Sequence, residues 1–167
     1  YDHYLPKDIY PFNSINFKNL APICHECNSS YKLTKDPLHD ITKKRRKAFY
    51  SYMSQKPDIK IEIDIQNRDI AKLTPENVQV QINSEKFAEE VQTWEDLFGI
   101  EERYKIKCAS RTAKYWYTQV VDEAQNYNVA PKTALQHIIK MANNEPFEEI
   151  NFLRKPFLEA CEKNSLF

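Results

Sequence analysis

An α+β fold is predicted by three features of this 167-residue chain. Ile59, Ile61, Ile63 and Ile65 alternate with Lys60, Glu62 and Asp64, and Val78, Val80 and Ile82 repeat that period of two, which marks two half-buried strands. From Glu85 onward the apolar residues recur at intervals of three and four, the helical period. Ahead of both lies a segment rich in Pro, Asn, His and Cys, closed by the basic run KKRRK (43–47) and the aromatic FYSY (49–52). The expected organisation is an N-terminal part, 1–56, then a strand pair and a helical region, 57–167.

Each element has a local reason. The turn-prone LTPEN between the two strands predicts that they pair antiparallel. Phe87, Val91, Trp94, Leu97 and Phe98 outline an amphipathic helix stopped by Gly99, the single glycine of the chain. A second helix is expected over about 110–127, with Trp116, Val120 and Ala124 on one face. A third starts at Pro131, a residue suited to the first helical position, and carries Ala134, Leu135, Ile138 and Met141. A fourth spans about 147–163 and is expected to break near Pro156, which lacks an N–H and crowds the preceding turn. Trp94 and Trp116 fall on apolar stripes and are read as core, and His39 and His137 are assigned structural roles.

Composition excludes several classes. With 41% hydrophobic and 13% aromatic residues the chain is too apolar for a disordered one. No run of about 18 apolar residues exists, so no membrane association through a spanning helix is expected. The start YDHYLPKDIYP lacks the basic-then-apolar order of a signal peptide, and a cytoplasmic location is expected. In a reducing compartment Cys24-x-x-Cys27 means metal or redox chemistry, whereas Cys108 and Cys161 read as small buried thiols. The net charge is zero, yet residues 1–56 hold ten Lys/Arg against five Asp/Glu and so carry +5. That asymmetry points the N-terminal part toward a polyanion.

The chemistry concentrates in YDHYLPKDIYPFNSINFKNLAPICHECNSSYKLTKD (1–36), where Asp2-His3, Asn19-Leu20, Cys24-x-x-Cys27, Asn28 and Lys32 follow in order. Each is common alone; in this order and within about thirty residues they resemble the HNH nuclease family, built on a ββα-metal core. An acidic ligand first and asparagine last is similar to the nuclease domain of RNA-guided CRISPR effectors. The resemblance covers the first thirty-six residues and implies roles for them. Asp2 and Asn28 would hold a catalytic Mg²⁺ or Mn²⁺, His3 would be the general base, and Asn19 would brace the loop between the two strands. Cys24 and Cys27 would give two ligands to a structural Zn²⁺, whose other pair in many relatives is a CxxC upstream of the DH motif. Residues preceding Tyr1 are therefore expected.

The residue types suit phosphodiester hydrolysis. A hard divalent ion takes oxygen ligands such as a carboxylate and an amide, and an imidazole titrates near neutral pH and can activate water. Lys7 and Lys32 are expected to reach phosphate, although relatives carry the lysine three residues after the last ligand, where this chain has Tyr31. Runs such as Lys43, Lys44, Arg45, Arg46 and Lys47 are most often a solvated face; beside the nuclease motif the run is expected to contact the DNA backbone. Bacterial members of this general form resemble effectors of anti-phage defence that work beside an ATPase, which makes DNA the expected substrate and an ATPase subunit the expected partner. The alternative is a zinc-containing nucleic-acid-binding or partner-docking subunit without catalysis. A chain that had lost catalysis would be expected to lose Asp2, His3 or Asn28, and all three are present.

Overall fold

The computed structural model describes residues 1–167 and has a mixed α+β architecture with two small antiparallel sheets. The chain forms two compact units, Tyr1–Lys60 with Ile82–Ile100 and Ile61–Gln81 with Glu101–Phe167. The chain passes between the two units three times, after Lys60, Gln81 and Ile100.

In the first unit β1 (Asp2–His3) pairs antiparallel with β2 (Leu20–Ala21), Asp2 opposite Ala21 and His3 opposite Leu20. A π-helical turn, Cys27–Lys32, follows β2 and ends at Leu33, whose φ is +50°. The helix α1 (Ala88–Phe98) packs on that turn. Its first turn carries Glu89 and Glu90 at the positive end of the helix dipole. Gly99 closes it at φ +56°, a left-handed conformation that glycine adopts without a Cβ penalty. Phe49 sits between Phe87 (centroids 5.9 Å apart) and Trp94 (6.1 Å, edge to face), so Trp94 is half-buried at an aromatic cluster and not deep in the core.

The strand pair is β3 (Lys60–Ile65) and β4 (Val78–Asn83). Ile63, Ile65, Val78, Val80 and Ile82 are buried and the residues between them exposed, as period-two patterning requires. The connection uses two 3₁₀ turns: the Asp69 carboxylate caps Ile70–Lys72 by accepting the Ala71 N–H at 3.0 Å, and Thr74 and Asn77 form a capping box around Pro75–Asn77. The helices α2 (Ile100–Cys108), α3 (Arg111–Asn126), α4 (Pro131–Asn144) and α5 (Asn151–Lys163) follow. Trp116 meets Phe157 edge-on at 6.0 Å where α3, α4 and α5 pack together. The sequence does not single out α2, because IEERYKIKC carries almost no apolar stripe.

The break expected at Pro156 lies elsewhere. Pro156 sits inside a continuous α5, and the chain instead breaks at Glu149 and Ile150, both at positive φ. A proline inside a helix costs about 3 kcal/mol, but Leu153, Phe157, Leu158, Ala160 and Cys161 are all buried around it and their packing offsets that cost. No helix is long and apolar enough to cross a membrane.

Cys108 and Cys161 are buried thiols, and burial pushes each up to about 12. Both should therefore resist iodoacetamide in the native protein and react once urea unfolds it. Peptide mass mapping reads this directly; native alkylation of Cys161 as fast as of a free thiol would contradict the packing of α5.

Candidate functional site

The loop between β1 and β2 is held by one side chain. Asn19, only 4% exposed, donates from Nδ2 to the carbonyls of Leu5 (3.1 Å) and Asn13 (3.2 Å), and its Oδ1 accepts the Leu5 N–H (2.7 Å). Its own carbonyl accepts from the Tyr4 N–H at 2.6 Å. An amide offers both donors and an acceptor, so asparagine can satisfy three main-chain groups at once where aspartate or leucine could not.

His3 and Asp2 leave β1 on opposite sides, as neighbours on a strand do. The His3 ring places Nε2 3.1 Å from the carbonyl oxygen of Ser14. A carbonyl only accepts, so in the neutral ring Nε2 carries the hydrogen and Nδ1 keeps its lone pair. Asp2 faces the π-helical turn, where its Oδ2 accepts from the Lys32 ammonium at 2.6 Å. Lys32 also donates to the His3 carbonyl at 2.8 Å and is itself 4% exposed. The structure thus places Lys32 in a buried ion pair, away from the surface where a phosphate contact was expected. A cavity of about 180 Å³, lined by Asp2, Lys32, Tyr4, Phe49, Trp94 and Phe98 among others, opens beside it.

The winding of Cys27–Lys32 sets the direction of Lys32. The Leu33 N–H bonds the Asn28 carbonyl at 3.0 Å, an i→i+5 bond. In such a turn four residues advance the chain by about 330°, against about 300° for three residues of an α-helix. Lys32 consequently occupies the direction that a residue three after Asn28 would take in an α-helix. By that winding Asn28 and Lys32 lie on nearly the same side of the turn, and Lys32 meets β1.

Cys24 and Cys27 lie on one turn, the Cys27 N–H donating to Cys24 Sγ at 3.4 Å. No group of three or more His, Cys, Asp or Glu side chains is arranged to hold a metal. Tetrahedral zinc takes four ligands, so the pair alone is half of such a site. His25 is exposed and accepts the Ser29 hydroxyl on its main-chain carbonyl at 2.8 Å.

The basic run divides. Lys43, Lys44 and Arg45 are exposed, as is Lys7. Arg46 turns inward, donating to Asp96 Oδ2 at 2.6 Å and to the Asp36 carbonyl at 2.7 Å. The Lys47 N–H binds Glu89 at 2.9 Å while its ammonium stays largely in solvent, 3.9 Å from that carboxylate. The sequence gives no pointer to these acidic partners beyond the acidic face of α1.

One cluster escaped sequence reasoning altogether. The Asp36 carboxylate accepts from the Tyr10 hydroxyl (2.8 Å), His39 Nδ1 (3.0 Å) and the Leu38 N–H (2.8 Å), which ties the β1–β2 loop to residues 36–39. Burial alone would raise the Asp36 carboxyl, but these hydrogen bonds outweigh it and hold it below the usual carboxylate range. Burial, with the bond to Asp36, pushes the Tyr10 hydroxyl up to about 12.

No family model, curated protein or solved structure matches this chain.

Two predictions follow from these contacts. Lys32→Met keeps the side-chain length but leaves the Asp2 carboxylate without its ammonium, and should lower unfolding stability by about 2–4 kcal/mol in urea titration, whereas exposed Lys7→Met should change it by less than about 0.5 kcal/mol. The lowered Asp36 carboxyl stabilises the fold above the ordinary titration range near ~3.9, and that gain is lost as pH falls through it. Melting temperature should therefore fall less steeply from pH 5 to 3 in Asp36→Asn than in the parent chain. Identical slopes would remove Asp36 as an acid-sensitive fastening.

Proposed function

We propose that the chain is a metal-dependent endonuclease that hydrolyses DNA phosphodiester bonds with a ββα core formed by β1, β2 and the π-helical turn. The observation that carries this reading is the Lys32 bridge, which fixes the turn bearing Asn28 against the strand bearing Asp2 and His3. The donors suit a hard divalent ion: the Asp2 carboxylate and the Asn28 amide both offer oxygen, and the Lys32 ammonium engages Asp2 through Oδ2, so Oδ1 would be the oxygen given to the ion. When bound there, Mg²⁺ or Mn²⁺ would neutralise charge on the phosphate and on the departing 3′-oxygen.

The chain's own residues do the rest. The Ser14 carbonyl holds the His3 ring, leaving Nδ1 to take a proton from water as that water's oxygen attacks phosphorus. The P–O3′ bond breaks and the 3′-oxygen acquires its proton from solvent, leaving a 5′-phosphate and a 3′-hydroxyl. Asn19 keeps the loop, and with it the Ser14 carbonyl, in place. Lys43, Lys44 and Arg45 neutralise backbone phosphates, while Arg46 holds the run against Asp96. Cys24 and Cys27 would contribute their sulfurs to a structural zinc completed by ligands beyond these residues. As a bacterial defence effector the protein would act beside an ATPase subunit.

The test is cleavage of plasmid DNA with Mg²⁺ or Mn²⁺ against a chelator control. His3→Ala should lower the rate by roughly 10²–10⁴-fold with DNA affinity nearly unchanged. Asn28→Ala should also be slow, with partial recovery at high metal concentration. Reversing Lys43, Lys44 and Arg45 to Glu should instead weaken binding and reduce its salt dependence by about one unit of slope per lost phosphate contact. A His3→Ala protein that cuts at the parent rate would remove His3 from the mechanism, and a parent chain that cuts with neither metal would return the reading to a non-catalytic nucleic-acid-binding module.

A further inference from the structure

The loop that holds His3 also displays an apolar surface with no role in the fold. Phe12 is 94% exposed, Ile15 87% and Phe17 86%, three large side chains within six residues. Apolar residues scattered singly over a surface are ordinary, but a cluster this exposed marks a contact site. The loop is built to keep them out. Pro11–Asn13 and Phe17–Asn19 are 3₁₀ turns, Ser14 Oγ donates to the Pro11 carbonyl at 2.6 Å, and Asn16 Oδ1 accepts the Lys18 N–H at 3.0 Å. Asn19 pins the Asn13 carbonyl from inside. A loop fastened at so many points cannot turn its phenyl rings inward.

We propose that Phe12, Ile15 and Phe17 form a wedge that packs against unstacked nucleobases beside the phosphate being cut. The inference rests on the nuclease reading and adds the substrate feature it selects. Three observations favour nucleic acid as the occupant. The carbonyl between Phe12 and Ile15 is the one that accepts from His3, so whatever covers the loop lies next to the reacting strand. The apolar side chains are interspersed with Asn13, Ser14 and Asn16, and the two phenyl rings among them offer flat faces on which bases can stack. Lys7 and Lys18 flank them, and Tyr50 and Tyr52 bond the carbonyls of Lys18 and Leu20 at 2.6 Å each, which brings the segment following the exposed Lys43, Lys44 and Arg45 alongside the loop. Exposed Lys7 and Lys18 thus stand on either side of the apolar tip in the chain, and charge beside exposed rings is the arrangement used both on single strands and where side chains enter a kinked duplex.

The experiment uses the full chain in a His3→Ala background, so that DNA is bound without being cut. The probes are oligonucleotides of about 20 nucleotides containing 2-aminopurine, one single-stranded and one duplex, followed by anisotropy and by base fluorescence across a salt series. Phe12→Ala and Phe17→Ala should each weaken binding by roughly 5- to 100-fold and remove the fluorescence change, with the slope against salt unchanged. Loss on the single strand alone identifies unpaired bases as the target, and loss on the duplex identifies a kinked step; either supports the wedge. If the probes bind and the Phe12→Ala/Ile15→Ala/Phe17→Ala chain binds them equally well, the wedge is overturned and the nuclease reading stands. Should the parent chain bind neither probe, both fall. Sedimentation that shows the triple variant losing a dimer at unchanged DNA affinity would assign the surface to a second copy and overturn the proposal.

Discussion

The geometry of the first unit depends on one buried ammonium. Lys32 joins Asp2 and the His3 carbonyl, so a residue on the π-helical turn decides where a two-residue strand lies. Two such strands carry too few hydrogen bonds to hold themselves in water. Burying an ion pair is seldom favourable against an apolar replacement, but removal of one partner alone leaves an uncompensated charge. The pair therefore acts as a positioning constraint more than as a source of stability. It sets the separation between the π-helical turn and the strand that carries Asp2 and His3.

Around that constraint the unit is assembled from short-range fastenings in place of a large core. Asn19 closes the β1–β2 loop from inside, Asp36 gathers Tyr10 and His39, and Arg46 links the basic segment to α1 through Asp96. Each is a polar side chain that bonds main-chain atoms, a hydroxyl or an opposite charge, which is what a segment poor in aliphatic side chains requires. The second unit follows the opposite logic, with Trp116, Val120, Leu135, Leu153, Phe157 and Leu158 buried where its helices meet.

Periodicity made the second unit legible. Alternating Ile and Val residues located β3 and β4, and Pro131 located the start of α4; in the first unit Gly99 likewise marked the end of α1. It missed α2, whose polar sequence has no stripe to read, and it overrated Pro156, whose effect is local while the packing around it is tertiary. In the first unit the motif order singled out Asp2, His3, Asn19 and Asn28, but spacing could not show their partners. That Lys32 turns inward to Asp2, or that Arg46 differs from Arg45 beside it, depends on residues thirty to fifty positions away. The exposure of Phe12 and Phe17 was equally hidden, since composition marks both as core formers.

The π-helical turn has a consequence for how such chains diverge. One residue more than an α-turn would hold is absorbed between Asn28 and Lys32 with the direction of the lysine almost unchanged. Insertion and compensation are then a single event: the backbone widens locally, and the ammonium still reaches the strand. Spacing along the chain becomes a poor measure of kinship at such a place, and direction in space the better one.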